Sequence, residues 1–222
     1  MGREVGTVVT PQRWVRSTPL TTAYVAAVGT VTLAGALISR ERKHAVLRAA
    51  STDLVNLRTA PARVLPASAF VLEHPVHAVA LPVLALAMGS VERWQGSLTA
   101  AAVFASGHVG ATLVVATGIA GGIEAGWLDP ALRSMVDVGV SYGQWALLGA
   151  LAGRLQPRWR VAYIASLSAL LVSEARSGAG VTVAGHAVAW GIGLAIAGRL
   201  VRRDRAVGAA RPVRRATLWR AG

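Results

Sequence analysis

The sequence predicts an all-α, polytopic membrane protein built as a bundle of six transmembrane helices. Of its 222 residues, 54% are hydrophobic and only 15% are charged, whereas a soluble domain typically has about 25% charged residues. The apolar residues also gather into uncharged runs, and a helix needs roughly 17–25 such residues to cross about 30 Å of hydrocarbon. Six runs come close to this length: 20–39, 67–89, 97–119, 138–154, 159–174 and 180–201.

The segments around these runs support the division. The polar N-terminal segment lacks the apolar core and cleavage site of a signal peptide. The basic loop between the first two runs, 40–66, contains "STDLVNLRTAP", whose turn and cap residues predict an interfacial, partly helical loop. The fourth and fifth runs meet at "GRLQPRWR", where a proline and three arginines predict a tight turn. We therefore expect a cytoplasmic N-terminal segment (1–19), a membrane domain (20–202) and a basic cytoplasmic tail (203–222).

The distribution of lysine and arginine predicts the orientation of the bundle. With the N-terminus inside, the inner segments hold 15 of the 23 basic residues and the outer segments hold eight. The positive-inside rule then places both termini in the cytoplasm and the protein in the cell membrane. The arginine-rich tail is expected to lie against anionic lipids. The net charge of +13 does not indicate a nucleic-acid partner, because no basic face with interleaved aromatic residues is present.

Several function classes are disfavoured by composition. The chain has no cysteine, which excludes disulfides and thiolate metal sites. Its five histidines lack the spacing of a zinc helix, so we expect neither a metal nor a cofactor. The inverted repeats or paired broken helices of a transporter are not visible either.

One serine and two histidines, each on a different predicted helix, fall in the outer half of the membrane, whereas a third histidine lies deeper. Ser141 lies about four residues into the fourth helix, roughly 6 Å from the outer face, and His186 about six residues into the sixth, roughly 9 Å. His77 lies about ten residues into the second helix, roughly 15 Å deep, and His108 lies near mid-membrane. An ionisable residue within a span is costly and indicates a functional site. The alternative is a hydrogen bond that only joins two helices.

The residues around Ser141 and His186 resemble a known family. "GVSYGQWALLG" opens the fourth predicted helix and "GHAVAWGIGLAIAG" lies in the sixth. These segments resemble those of the rhomboid intramembrane serine proteases, which have a Gly-x-Ser-Gly motif on the fourth of six core helices and a histidine on the sixth. "SVERWQGS" and "FVLEHPVHAVALP" resemble the inner end and the beginning of the family's second helix. The resemblance covers about residues 20–202. Within the family, the sequence is similar to the divergent rhomboid-like membrane proteins of high-GC actinobacteria.

The resemblance implies roles for individual residues. Ser141 stands at the position of the nucleophile and His186 at that of the general base, which a serine needs because it is a poor nucleophile at its ordinary pKa. His77 corresponds to a histidine that stabilises the oxyanion, with Gly139 and Tyr142 as neighbours that shape the site. Donors of this kind stabilise the tetrahedral intermediate of acyl transfer. The implied substrate is a transmembrane protein cut near the outer face.

The sequence also departs from the family pattern. Tyr142 replaces the second glycine of the motif, and Leu81 replaces an asparagine of the second helix. His74 competes with His77 for its role, and Trp190 lies where it would stack on the imidazole of His186 or block it. These departures leave a second hypothesis: a catalytically inactive rhomboid-like protein that binds transmembrane partners.

Three further features carry structural expectations. Asp137 precedes the fourth helix and is expected to cap its N-terminus. Glu92 and Arg93 are expected to form an interfacial anchor or an ion pair between loops. His108 and Thr112 are spaced to face one side of the third helix, either bonded inside the bundle or marking a polar path to the site.

Overall fold

The computed structural model describes residues 10–178 and 180–210, and these ranges contain ten α-helices, three 3₁₀ segments and no strand. The all-α prediction is therefore confirmed. The α-helices are α1 Pro11–Ser17, α2 Pro19–Leu37, α3 Arg40–Ala50, α4 Leu54–Thr59, α5 Pro61–Ser68, α6 Leu81–Gln95, α7 Ser97–Glu124, α8 Ser141–Leu151, α9 Pro157–Arg176 and α10 Gly180–Ala210. The 3₁₀ segments are Pro75–Ala80, Pro130–Ser134 and Ala152–Arg154.

Three helices of the described chain are long and apolar enough to cross a membrane. They are α2, α7 and the Gly180–Arg203 part of α10. Helix α8 has 11 residues, about 16 Å of helix at 1.5 Å per residue, so it cannot cross about 30 Å of hydrocarbon. The fourth predicted span is thus an interior helix, preceded by the non-helical segment 135–140.

Helix α8 lies at the centre of the bundle, packed against α6, α7 and α10. Small residues make this possible. A Cβ on Gly149 of α8 would stand 2.7 Å from the Trp190 carbonyl oxygen of α10, and a Cβ on Gly193 of α10 would collide with the Ala146 backbone of α8. The backbones therefore touch, as close packing through glycine requires.

The second predicted span, 67–89, is wrong as a continuous helix. Helix α5 ends at Ser68, a loop follows, and residues Pro75–Ala80 form a 3₁₀ segment before α6 begins at Leu81. Proline lacks the N–H that a continuous α-helix needs and favours the first turn of a helix. Pro75 therefore begins the 3₁₀ segment, and Pro82 lies in the first turn of α6.

The first loop is partly helical, as predicted, and is held by its own polar residues. Helices α3, α4 and α5 cover most of residues 40–66. The Asp53 side chain caps α4 by accepting hydrogen bonds from the N–H groups of Val55 and Asn56. The Asn56 amide donates to the carbonyls of Arg48 and Ser51, at 2.8 and 2.9 Å. Since these bonds satisfy the ends of both helices, the loop is a defined structure.

The two expected terminal segments, 1–19 and 203–222, are partly helical in the described residues. Helix α1 lies within the N-terminal segment, and α10 continues beyond residue 203 to Ala210. Residues 1–9 and 211–222 lie outside the described residues, and so does most of the tail predicted to contact anionic lipids.

Glu92 has a different role from the predicted anchor or ion pair. It is buried, and its carboxylate accepts hydrogen bonds from the N–H groups of Leu20 and Thr21, both at 2.9 Å, and from the hydroxyls of Thr21 and Ser97, both at 2.7 Å. The first N–H groups of a helix have no partner within it. Glu92 therefore caps α2 from α6, while the Arg93 guanidinium lies over the Trp14 ring at 5.1 Å.

Replacing Glu92 by glutamine is expected to destabilise the protein by about 2–3 kcal/mol, because the amide offers one acceptor oxygen where four donors converge. Thermal unfolding in detergent checks this. Glu41→Gln, at an exposed carboxylate in the first turn of α3, serves as the control and should change little. Equal unfolding temperatures for the wild type and Glu92→Gln would contradict the capping role.

Candidate active site

A cavity of about 530 Å³ opens where α7 ends, α8 begins, α9 ends and α10 begins. We call this the site end of the bundle. The 3₁₀ segment before α6, the loop 136–140 and the first turns of α8 and α10 contribute its walls. All five residues singled out from the sequence line it: His77, Gly139, Ser141, Tyr142 and His186.

Ser141 is the first residue of α8. At this position its side chain reaches the cavity, where the central helix begins. The first N–H groups of a helix have no acceptor within it, and the helix dipole makes this end favourable for negative charge. The start of α8 therefore combines a hydroxyl with backbone donors for an anion.

His186 lies in α10, two turns from its start, and its ring is fixed by a carboxylate. The Nδ1–H donates to Oε2 of Glu174 at 2.9 Å. Because an ionised carboxylate only accepts hydrogen bonds, this contact requires the proton on Nδ1 in the neutral ring. The other nitrogen, Nε2, is buried and has no hydrogen-bond partner among the described residues. His186 thus presents an uncommitted acceptor nitrogen.

The structure brings Ser141 and His186 to one cavity without bonding them. Both residues line it, but no hydrogen bond joins the Ser141 hydroxyl to His186 among the described contacts. Catalytic hydrogen bonds often tighten only when a substrate is bound. The arrangement is therefore compatible with proton transfer once the two side chains approach within hydrogen-bond distance.

Tyr142, the bulky residue in place of the motif's second glycine, packs away in the interior. It is 5% exposed, and its ring lies where a side chain on Gly185 of α10 would otherwise stand. Its ring also meets the His186 ring edge to face, with centroids 5.8 Å apart. Gly185 therefore accommodates the tyrosine, which forms one side of the imidazole pocket.

The expected contact of Trp190 with His186 is replaced by another tryptophan. Trp145 of α8 lies against the imidazole, with ring centroids 5.7 Å apart, and Trp190 packs on Trp145 at 6.0 Å. Side chains one helical turn apart share a face, but Trp190 is drawn toward Trp145 and Tyr163 instead. Aromatic packing thus fixes the His186 ring from the side of α8.

The loop before α8 is anchored at both ends. Gly139 adopts a φ of +135°, which favours glycine, and its N–H donates to the Ser68 carbonyl at 2.9 Å. Asp137 does not cap α8 as predicted: its carboxylate and carbonyl accept hydrogen bonds from Thr52, and its N–H donates to the Ser51 hydroxyl. The residue at the cap position of α8 is Val140. Asp137 is thus hydrogen-bonded to loop 51–53 instead of to the N-terminus of α8.

Burial raises the pKa of the Asp137 carboxyl, while the hydrogen bond from Thr52 and the nearby His186 ring oppose that shift. A second carboxyl therefore lies close enough to His186 to interact electrostatically. It is committed to Thr52 and does not hold the ring.

His77 lies in the 3₁₀ segment, not ten residues deep in a helix as expected, because the α-helix begins only at Leu81, after Pro75 and with Pro82 in its first turn. Its exposed side chain lines the cavity, while His74 is not part of the wall. The two rings meet edge to face at 5.6 Å. Of the two histidines in competition, His77 is thus the one that shares the cavity with Ser141.

His108 belongs to the bundle interior and is not part of the cavity wall. Its Nε2 lies 3.0 Å from both the Ser68 hydroxyl and the Leu65 carbonyl. It therefore joins α7 to the end of α5, which fits the interpretation as a bond inside the bundle. The side chain of its expected companion, Thr112, has no hydrogen-bond partner among the described residues.

Sequence reasoning missed Glu174. The signal was present, because Glu174 is the acidic residue within the 159–174 apolar run and lies in the last turn of α9 at the site end. No group of three or more potential metal ligands occurs among residues 10–178 and 180–210.

Comparison with known protein families agrees with the architecture. The pattern of the rhomboid-like protein family matches residues 13–206, nearly the whole helical bundle. Searches of curated proteins and of solved structures find no match. The rhomboid-like family includes serine intramembrane proteases. Because the family pattern matches most of the chain, and because the fold is an all-α bundle with helices long and apolar enough to cross a membrane, the chain belongs to the rhomboid-like protein family.

Proposed function

We propose that this protein is an intramembrane serine endopeptidase that cleaves transmembrane proteins near the outer face of the cell membrane. Ser141 is the nucleophile and His186 the general base. The observation that carries the proposal is the pairing of these residues in one cavity, with Nδ1 of His186 held by a carboxylate and Nε2 uncommitted. A serine nucleophile requires a base of this kind, with one nitrogen held by a third group and the other free to accept the proton.

The reaction follows from this arrangement. As Oγ of Ser141 bonds to the carbonyl carbon of the scissile peptide, its proton moves to Nε2 of His186. The imidazolium then gives that proton to the leaving amine as the C–N bond breaks. Water hydrolyses the resulting acyl-enzyme with the same histidine as base, and the free carboxylic acid leaves.

The oxyanion of each tetrahedral intermediate needs donors near the carbonyl carbon. The backbone N–H groups at the start of α8 are the first candidates, and His77, which also lines the cavity, is the second. Gly139 contributes its backbone conformation and not a donor, because its own N–H is already bonded to Ser68.

The proposal takes both termini to lie in the cytoplasm, as the distribution of basic residues predicts. In that orientation α7 runs outward, α8 begins in the outer half of the membrane, and cleavage takes place near the outer face. A cavity at this end admits water and an unwound segment of a transmembrane substrate. The same orientation puts the arginines of the tail beside anionic lipids.

The test uses the purified full chain in detergent with a biotinylated fluorophosphonate, followed by mass-spectrometric mapping of the modified peptide. We expect one modified residue, Ser141. Absence of modification, under conditions in which a known serine hydrolase is labelled, would contradict the proposal. That result would favour the inactive rhomboid-like protein that binds transmembrane partners.

A further inference from the structure

The carboxylate of Glu174 reaches His186 from a neighbouring helix. Glu174 lies two residues before the end of α9, and His186 lies two turns into α10. Their 2.9 Å contact spans the turn between the helices, with side chains that are 33% and 11% exposed. The more buried partner is thus the ring, and the carboxylate keeps access to water.

This contact decides which nitrogen of the ring can act as a base. A neutral imidazole carries one proton, and a carboxylate accepts it only from the nitrogen that faces it. With the proton on Nδ1, the lone pair is on Nε2, which is buried without a partner among the described residues. The contact therefore selects the tautomer that a base at Nε2 needs.

We propose that Glu174 is the positioning residue of His186, so that Ser141, His186 and Glu174 act as a triad. The inference rests on the proposed protease function. As the Ser141 proton moves to Nε2, positive charge forms on the ring and the carboxylate stabilises it. Glu174 stays ionised throughout, and the proton leaves from Nε2 to the amine of the product.

The surroundings of the ring favour this role over a simple link between helices. The Tyr142 and Trp145 rings pack against His186, and the Asp137 carboxyl interacts with it electrostatically. Asp137 is held by Thr52, and the aromatic rings offer no acceptor for Nδ1–H. Among the described residues, Glu174 alone hydrogen-bonds to the ring.

The kinetic test compares Glu174→Gln, Glu174→Ala and Glu174→Asp with Glu124→Gln, which removes an exposed carboxylate at the end of α7. Fluorophosphonate inactivation is resolved into its maximal rate and its concentration for half-maximal rate. Because Glu174 is partly exposed, we expect Glu174→Ala to lower the maximal rate by about 10- to 100-fold, less than in a buried triad. The half-maximal concentration and the Tm should stay near wild type.

Rescue separates positioning from packing. Formate should restore part of the Glu174→Ala rate, since the site is open to water, whereas chloride should not. Glu174→Asp should retain more activity than Glu174→Ala, and Glu124→Gln should match wild type. If Ser141 is labelled at the wild-type rate in Glu174→Ala, or if the rate falls only together with Tm and formate has no effect, the positioning role is overturned.

A second readout does not depend on catalysis. The ¹⁵N spectrum of labelled imidazoles, assigned by comparison with His186→Gln, reports which ring nitrogen carries the proton. We expect the proton of wild-type His186 on Nδ1 and a mixture of tautomers in Glu174→Ala. A wild-type proton on Nε2, or identical spectra for the two proteins, would overturn the inference. If Ser141 is never labelled but the spectra change as expected, the protease proposal fails while the tautomer control by Glu174 stands.

Discussion

Loss of either Ser141 or His186 is expected to abolish hydrolysis to the same extent, and loss of both is expected to cost no more. In a nucleophile–base pair, each group depends on the other, so their effects do not add. We expect Ser141→Ala and His186→Ala each to lower kcat by about 10³-fold or more, and the double variant to match them. Cleavage of a transmembrane reporter in liposomes, with product quantified over time, measures this.

Matched controls exist at exposed positions. Ser134 is the last residue of the 3₁₀ segment Pro130–Ser134, and His44 lies on α3. The variants Ser134→Ala and His44→Ala should both cleave at the wild-type rate. Additive losses in the double variant would mean that the two residues act independently. Full activity of Ser141→Ala would remove the nucleophile assignment and leave the inactive, partner-binding protein as the better hypothesis.

The helical bundle could be predicted from the sequence because a membrane strongly restricts the backbone conformations of the segments that cross it. Backbone groups must be bonded within the lipid, so long apolar runs become helices. This explains why α2, α7 and α10 lie close to the predicted runs. It does not determine depth: α8 is short and enclosed, and the apolar run 67–89 breaks where prolines interrupt it.

The cavity could be predicted only in part. Ser141 and His186 were found because polar residues in apolar runs are unusual and their spacing resembles a known family. The partner of His186 depends on the turn between α9 and α10, and that of Asp137 depends on how loop 51–53 folds. Such contacts join segments that are far apart in the sequence or lie on different helices, and helical periodicity carries no information about them.

Tyr142 is a residue whose effect on the site could not be predicted from the sequence. Beside Ser141, it departs from the family pattern and looks like an obstruction in the sequence. In the structure its ring fills the space that Gly185 leaves empty. A single sequence gives no indication of which residue compensates for another, because the compensation is a matter of packing between helices.

Replacing Gly193 by alanine is expected to be the most damaging small change in the bundle. The added Cβ would lie 2.9 Å from the Cα of Ala146 and closer still to its carbonyl oxygen. The atoms it meets are backbone, which cannot rotate away, so α8 and α10 must separate. We expect a loss of about 3 kcal/mol, which corresponds to a fall in the apparent Tm of about 6–12 °C at a fixed scan rate.

Gly191→Ala is the matched control, because this glycine lies two residues away on α10 and its Cβ would meet nothing within 4 Å. It should leave Tm unchanged or raise it, since alanine favours helix more than glycine by up to about 1 kcal/mol. Equal Tm values for the two variants would show that the helices tolerate separation at Gly193.

The Gly193 variant also links packing to chemistry. Ser141 and His186 lie on the two helices that Gly193 holds together, one turn or more toward the site end. A shift of α8 away from α10 therefore moves the hydroxyl away from Nε2. We expect fluorophosphonate labelling of Gly193→Ala to be slower than that of wild type even well below its Tm, with Gly191→Ala unaffected. Labelling at the wild-type rate in a destabilised Gly193→Ala would mean that the spacing of the pair is set elsewhere, by the contact of Tyr142 with Gly185.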